Sequence, residues 1–284
     1  MPGPQAATFK NLTKLAFKAH NITLPTEWVQ PLGDPEGMQY IQAFKIYELA
    51  VPTDPSKLFQ AATPNKYHVD TVKALHKSFD KYIDGICGAV CSGWDMWRLQ
   101  AKFKDLKVMG PSAIGAPGCL DGPELKDLIM MSAPQSTEME RKYSNSIAGH
   151  ISAAFKKWQD KVTVPGLPWY PAFAAFPGPT APPMPNVPMP LITCPSPMMA
   201  EVTVPSKLKD GMVKEHDDKD ALHHEELFDA IGKGFAVTFL SWVGMQQVML
   251  VMGKGPIPTF APPYVPVGPV LGGDNIATPG HLAT

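Results

Sequence analysis

From Val69 onward the apolar positions of the chain recur at helical spacing in three separate stretches that share one pattern. Ile83 and Trp94, Ile147 and Trp158, and Ile231 and Trp242 are each eleven residues apart. Four residues before the isoleucines stand Phe79, Tyr143 and Leu227; four after stand Cys87, Ile151 and Phe235; eight after stand Cys91, Phe155 and Phe239. These offsets trace one stripe of an α-helix. Glycine recurs beside each isoleucine, at Gly85, Gly149, and Gly232 with Gly234. A glycine inside a helix costs about 1 kcal/mol relative to alanine, so its recurrence predicts close helix–helix approach.

Each helical stretch runs into a glycine and proline exit: Val108-Met109-Gly110-Pro111, Val164-Pro165-Gly166, and Val251-Met252-Gly253. An irregular arm follows. The longest, Pro165 to Pro197, holds twelve prolines in thirty-three residues. Proline removes backbone donors and fixes φ, so the arms are expected to be extended polyproline II. Their side chains are aromatic, methionine and valine rather than serine, which predicts burial against this chain or a neighbouring subunit. Trp169, Tyr170, Phe173, Phe176, Phe260 and Tyr264 are the candidate partner-binding residues. Before Val69 the pattern is of short helices: Ala6 to His20, then starts at Asp34-Pro35-Glu36 and at Asp54-Pro55.

The fold class these patterns predict is mainly α. Three diverged helix-plus-proline-rich-arm repeats follow a short-helix N-terminal region, and three such units can close around a pseudo-threefold axis. The expected divisions are 1–68, the N-terminal region; 69–135, repeat 1; 136–210, repeat 2 with the long arm; and 211–284, repeat 3. The predicted repeat core is Ile83, Trp94, Ile147, Trp158, Ile231 and Trp242.

Composition narrows the function. A net charge of -1 with scattered basic residues supplies no stripe for neutralising phosphates, so nucleic acid is not an expected partner. Charged residues are 18% of the chain, against about 25% in ordinary soluble proteins, which leaves more surface to be covered by partners. Cys87 and Cys91 share an apolar helical face and read as core residues in a reducing compartment. Met1 to Ala6 carries no charged start followed by an apolar run, so no secretion signal is read and assembly in the cytoplasm is expected. Phe235 to Gly253 is free of charge for nineteen residues, long enough to cross a bilayer. The charged counterparts of this helix in the other two repeats favour a buried soluble helix instead.

Candidate chemistry is sparse. His216, His223, His224, Glu225 and Glu226 form the densest set of potential metal ligands, but adjacent histidines face different ways and a solvated helix start explains the acidic residues. Gly253-Lys254-Gly255 lacks the spacing of a phosphate loop. Cys119 and Cys194 lie in the arms with no histidine partner assignable from sequence. No catalytic residue, metal or cofactor is expected. The two rival readings are a membrane-associated protein using 235–253 and a metal-dependent enzyme using 216–226.

The arms PGLPWYPAFAAFPGPTAPPMPNVPMPL and GKGPIPTFAPPYVPVGPVLGG resemble structural proteins of tailed phages and contractile injection machines. The resemblance covers the last half of the chain and rests on the style of the arms. It implies a non-enzymatic component of a virion or injection particle, in the tail, tube or baseplate region, whose partners are the other subunits. The repeats add the expectation of one copy on the axis of a trimeric or hexameric ring.

Overall fold

Thr137 and Glu140 begin one of the long helices by capping each other. The threonine hydroxyl accepts the Glu140 N–H at 3.1 Å, and the glutamate carboxylate accepts the Thr137 N–H at 3.3 Å. This helix belongs to a computed structural model that describes residues 3–20, 65–218, 221–260 and 269–283. In chain order the elements are α1 (Ala6–Ala19), α2 (Asn65–Gln100), β1 (Lys102–Phe103), β2 (Lys107–Met109), β3 (Ser112–Gly115), β4 (Leu120–Asp121), α3 (Leu125–Met130) and α4 (Glu138–Asp160). Then come β5 (Val164–Pro168), α5 (Pro171–Ala174), β6 (Thr180–Pro185), β7 (Met189–Pro190), α6 (Met199–Thr203), α7 (Pro205–His216), α8 (His224–Met245), β8 (Gln247–Val248), β9 (Met252–Pro256) and β10 (Leu271–Ile276). The chain divides into two compact units, residues 21–81 and the remainder. The described part of the first is the opening of α2, residues 65–81. The helix starts expected at Asp34 and Asp54 lie outside the described residues.

In the larger unit the stripes of α2, α4 and α8 form the core. Ile83, Ile147 and Ile231 are fully buried, and α1 packs on α8 through Phe9 and Phe235, ring centres 6.1 Å apart. After each of these helices the chain makes a pair of strands. The six strands form one antiparallel sheet in the order β5-β3-β2-β10-β9-β6. The pair after α2 is β2 and β3, the pair after α8 is β9 and β10, and the pair after α4, β5 and β6, supplies the two edges. Those edges meet: Trp169 bridges Asn186, and the Val187 N–H donates to the Pro168 carbonyl at 2.8 Å. The sheet thereby closes on itself at one end.

Once closed, the order follows a cyclic rule. The first strand of every pair lies beside the second strand of the preceding pair: β5 beside β3, β9 beside β6, β2 beside β10. The same hydrogen bond opens each of these three seams. The residue just past the first strand donates to the carbonyl just before the neighbouring second strand: Gly110 to Val270 at 2.6 Å, Trp169 to Pro111 at 2.8 Å and Ile257 to Pro179 at 2.9 Å. The register slips once in each seam, and in neither of the uninterrupted pairings β2–β3 and β9–β10.

This sheet corrects the expectation of a mainly α fold with polyproline II arms: the fold is mixed α and β, and the described parts of the arms contribute strands to it. Proline excludes a strand only where its nitrogen is needed as a donor. Here Pro182 and Pro183 are the residues skipped where the β6 register slips, and Pro165 is skipped in β5. Both strands are sheet edges, where one side of the backbone has little or nothing to bond. Two helices are also shorter than the apolar pattern: α2 ends at Gln100, and α8 ends at Met245, with 247–253 passing into β8 and β9.

Six short strands enclose little space, and the inward positions are correspondingly small: Val108, Ala113, Ala181, Gly253, Gly255 and Gly273 are all buried. A methyl group on Gly273 would press on the Lys254 carbonyl oxygen and on Val108. Gly273→Ala is therefore expected to destabilise the protein by about 1–3 kcal/mol, read from denaturant unfolding; an unchanged midpoint would contradict the close approach.

The C-terminal residues tie two helix ends together. The Leu282 carbonyl accepts from Arg98 at 2.9 Å and from Gln246 at 2.9 Å. The His281 carbonyl accepts the Met249 N–H at 2.9 Å, and its ring Nδ1 accepts the Phe103 N–H at 2.7 Å. That last bond needs a neutral ring, and burial pushes the His281 imidazole down from 6.5 to about 4. A base whose folded pKa is depressed contributes its full share above the unfolded value. Stability should thus fall as pH drops from 6.5 toward 4, by roughly 3 kcal/mol from this group. His281→Asn keeps an acceptor that does not titrate and should flatten the profile across that window; parallel profiles for the two proteins would refute the assignment.

Candidate assembly site

The helix stripes bring their aromatic ends to one cluster. Trp94, on α2, lies 4.8 Å from Trp242 of α8 and 6.0 Å from Phe155 of α4, edge to face, and stacks on Phe239 of α8 at 5.5 Å. Trp158, on α4, meets Phe239 at 5.0 Å and Trp242 at 6.5 Å. Trp97 adds a fourth indole, 4.6 Å from Phe155. Offset and perpendicular geometries of this kind are favoured by the ring quadrupoles and add about 0.5–1.5 kcal/mol per pair to the burial itself. The Nε1 atoms of Trp94, Trp158 and Trp242 are buried without a hydrogen-bond acceptor, whereas Trp97 donates to Gln159 and Trp169 to the Met184 carbonyl. The three matched indoles share the same polar shortfall, and the ring faces packed around them offer at most weak N–H···π acceptors.

The structure therefore buries Ile83, Ile147 and Ile231 and brings Trp94, Trp158 and Trp242 together, the residues singled out by spacing. It separates the arm residues. Trp169 and Phe173 are buried within the chain, ring centres 5.6 Å apart, and Trp169 lies against Gly253, so these two serve its own packing. Tyr170 is 47% exposed, and Phe176 and Phe260 are half-buried. Tyr264 lies outside the described residues. On the strands, Met109 and Leu271 pair across the β2–β10 seam and are both exposed, as is Ile114 on β3. They share the outer face with the exposed Lys107, opposite Ile114, and with the exposed pair Lys254 and Asp274.

Two rings of the histidine-rich stretch, His216 and His224, pack within the chain. His216 stacks on Tyr143 at 4.7 Å, and its Nδ1 lies 3.1 Å from the Ser146 hydroxyl; burial and the neighbouring His224 push its pKa down. The His224 Nδ1 is 2.6 Å from the Ala221 carbonyl. Among the described residues no group of three or more His, Cys, Asp or Glu is arranged to hold a metal, and no helix is long and apolar enough to cross a membrane. All four cysteines are buried and free. Burial pushes the Cys87 thiol well above its ordinary value and Cys91 up to about 12. Neither is a ready nucleophile at neutral pH.

A cavity of about 260 Å³ opens between α3, α4 and α7, lined by Lys126, Gly149, Ser152, Lys156, Gln159 and Glu215 among others. Gly149 leaves room for the Glu215 carboxylate against the α4 backbone, and burial raises that carboxyl's pKa while Lys126 opposes the rise. Sequence reading missed this cavity, and it missed Asn186 and Asn275, whose side chains are buried on backbone groups. An asparagine inside a proline-rich arm gives no signal of its own, since it serves turns equally well.

No protein-family model matches the chain, and neither a curated protein nor a solved structure matches it.

Removing Trp94 or Trp242 should each cost about 3–5 kcal/mol, because the cluster cannot collapse into an indole-sized gap. The two rings touch, so the double alanine variant is expected to cost less than the sum of the singles by roughly 0.5–3 kcal/mol. Strict additivity in denaturant unfolding would show that the rings do not act as one cluster.

Proposed function

We propose that the chain is a non-enzymatic structural component of a large protein particle, and that one copy sits on the axis of a trimeric or hexameric ring. The observation that carries this reading is the cyclic strand order, in which every helix-plus-strand-pair unit hands its second strand to the next unit's first. A ring of identical subunits offers the same surface three or six times around its axis. A single chain with three matched seams offers three matching surfaces in return, and an interface repeated around an axis gains by avidity what each contact lacks. The apolar outer positions Met109, Ile114, Tyr170 and Leu271 supply contact surface of the kind that partners cover.

The resemblance of the two arms to structural proteins of tailed phages and contractile injection machines is the ground for naming the particle class, with the tail, tube or baseplate region as the position. The partners on this reading are the particle's other subunits. The test is stoichiometry. Native mass spectrometry of the purified particle, or of a subassembly holding the chain, should find one copy for every three or six copies of a ring subunit. Twelve or more copies per ring would exclude the axial role.

A further inference from the structure

We infer that the closed sheet is held in register by two equivalent pins, Asn275 on β10 and Asn186 just past β6, each reaching to the helix-to-strand turn of the next unit, and that in the third seam the Cys119 thiol, four residues past β3, supplies one bond in their place. In the β2–β10 seam, Asn275 spans the turn 103–106. Its Nδ2 donates to the Phe103 carbonyl at 2.9 Å, and its Oδ1 accepts the Leu106 N–H at 3.0 Å. In the β6–β9 seam, Asn186 spans the turn 248–251 in the same way, with Nδ2 to the Val248 carbonyl at 3.0 Å and the Val251 N–H to Oδ1 at 2.9 Å. Both turns place their third residue in the left-handed region, Asp105 at φ 56° and Leu250 at φ 58°. A non-glycine residue there is uncommon, and a β-branched or bulky one carries strain; the asparagine holds the carbonyl and the N–H on either side of it.

The third seam, β3–β5, differs. The chain leaving α4 enters β5 already at Val164, opposite Gly115, and no residue of 161–165 takes a left-handed φ that would need holding. A single donor to the Val162 carbonyl suffices, and the Cys119 thiol supplies it at 3.5 Å. A side chain built on Gly115 would run into the Cys119 Sγ. All three side chains are buried. Their assignment does not depend on the particle reading; it concerns what holds the three seams.

Hydrogen exchange read at single residues tests the pins on the full chain. The seam bonds provide one reporter amide each: Gly110 for β2–β10, Ile257 for β6–β9 and Trp169 for β3–β5. Asn275→Ala should speed exchange at Leu106 and Gly110 roughly tenfold or more and leave Ile257 and Trp169 near wild type; Asn186→Ala should do the same at Val251 and Ile257 alone. Cys119→Ala should act at Trp169, and Cys119→Ser, which keeps a donor, should not. If an alanine variant fails to fold, Asn275→Asp or Asn186→Asp keeps the acceptor for the turn N–H, removes the amide donor, and is read at the same seam reporter. Acceleration confined to the pinned seam supports the assignment. Equal acceleration in all three seams, no acceleration, or a serine variant that behaves like alanine at position 119 overturns it. Stoichiometry of the particle has no bearing on these outcomes.

Discussion

Closure of the sheet depends on one constraint: the two strands that follow α4 must travel to opposite edges and still meet, at Trp169 and Asn186. Strand β5 is already committed to β3, and β6 to β9, so the meeting is possible only if the other two strand pairs fill the gap between them at the right angle. The helices that lead into the strand pairs are themselves locked together by the aromatic cluster. Trp94, Trp158 and Trp242 sit near the ends of the helices from which the strand pairs depart, and the rings interlock edge to face, so none can turn without displacing the others.

The narrow ring then dictates composition. Large inward side chains would push the seams apart, so the inner face is mostly valine, alanine and glycine, with Leu167 opposite Ala113 the large exception, and the sheet gains little hydrophobic burial of its own. Its cohesion must come from hydrogen bonding, which is why buried amides at Asn186 and Asn275 and a buried ring nitrogen at His281 recur at the junction between helix ends and strands. Such groups are costly to bury without partners and specific when partnered. They fix which turn meets which strand, a choice that small apolar residues leave open.

This division explains which parts of the fold were legible in the sequence. The helix stripes were, because Ile83 to Trp94 and its two counterparts repeat an apolar spacing that only one kind of element satisfies. The burial of all six residues and the contacts among their indoles follow from that spacing. The strands were not legible. A strand is ordinarily read from alternation and β-branching, and β6, Thr-Ala-Pro-Pro-Met-Pro, has neither. It is a strand because β9 lies beside it, and β9 comes from another arm some seventy residues later in the chain. Read alone, each arm has only water or polyproline II to turn to. Read together, the carbonyls and remaining N–H groups of one arm face those of the next. Trp169 and Phe173 misled for a related reason: aromatic residues in an arm do imply burial, but the surface that buries them is the chain's own sheet.

One chain with three matched seams differs from three identical chains in a way that bears on the proposed role. In a homotrimer every hairpin tip is the same. Here they are free to diverge, and they have. The β2–β3 tip is the two-residue turn Gly110-Pro111, with Gly110 at φ 62°. Positive φ at the first turn position gives the twist that a tight hairpin needs. The β5–β6 tip runs through 169–179 and contains α5. Strands β9 and β10 are joined by 257–270, of which 261–268 lie outside the described residues. The seams, by contrast, keep one bonding pattern, down to the donor at the end of each first strand. Conserved seams with divergent tips are the arrangement expected of a piece that meets a symmetric ring on one side and presents something asymmetric on the other. A symmetric oligomer in the same position could offer only copies of a single tip.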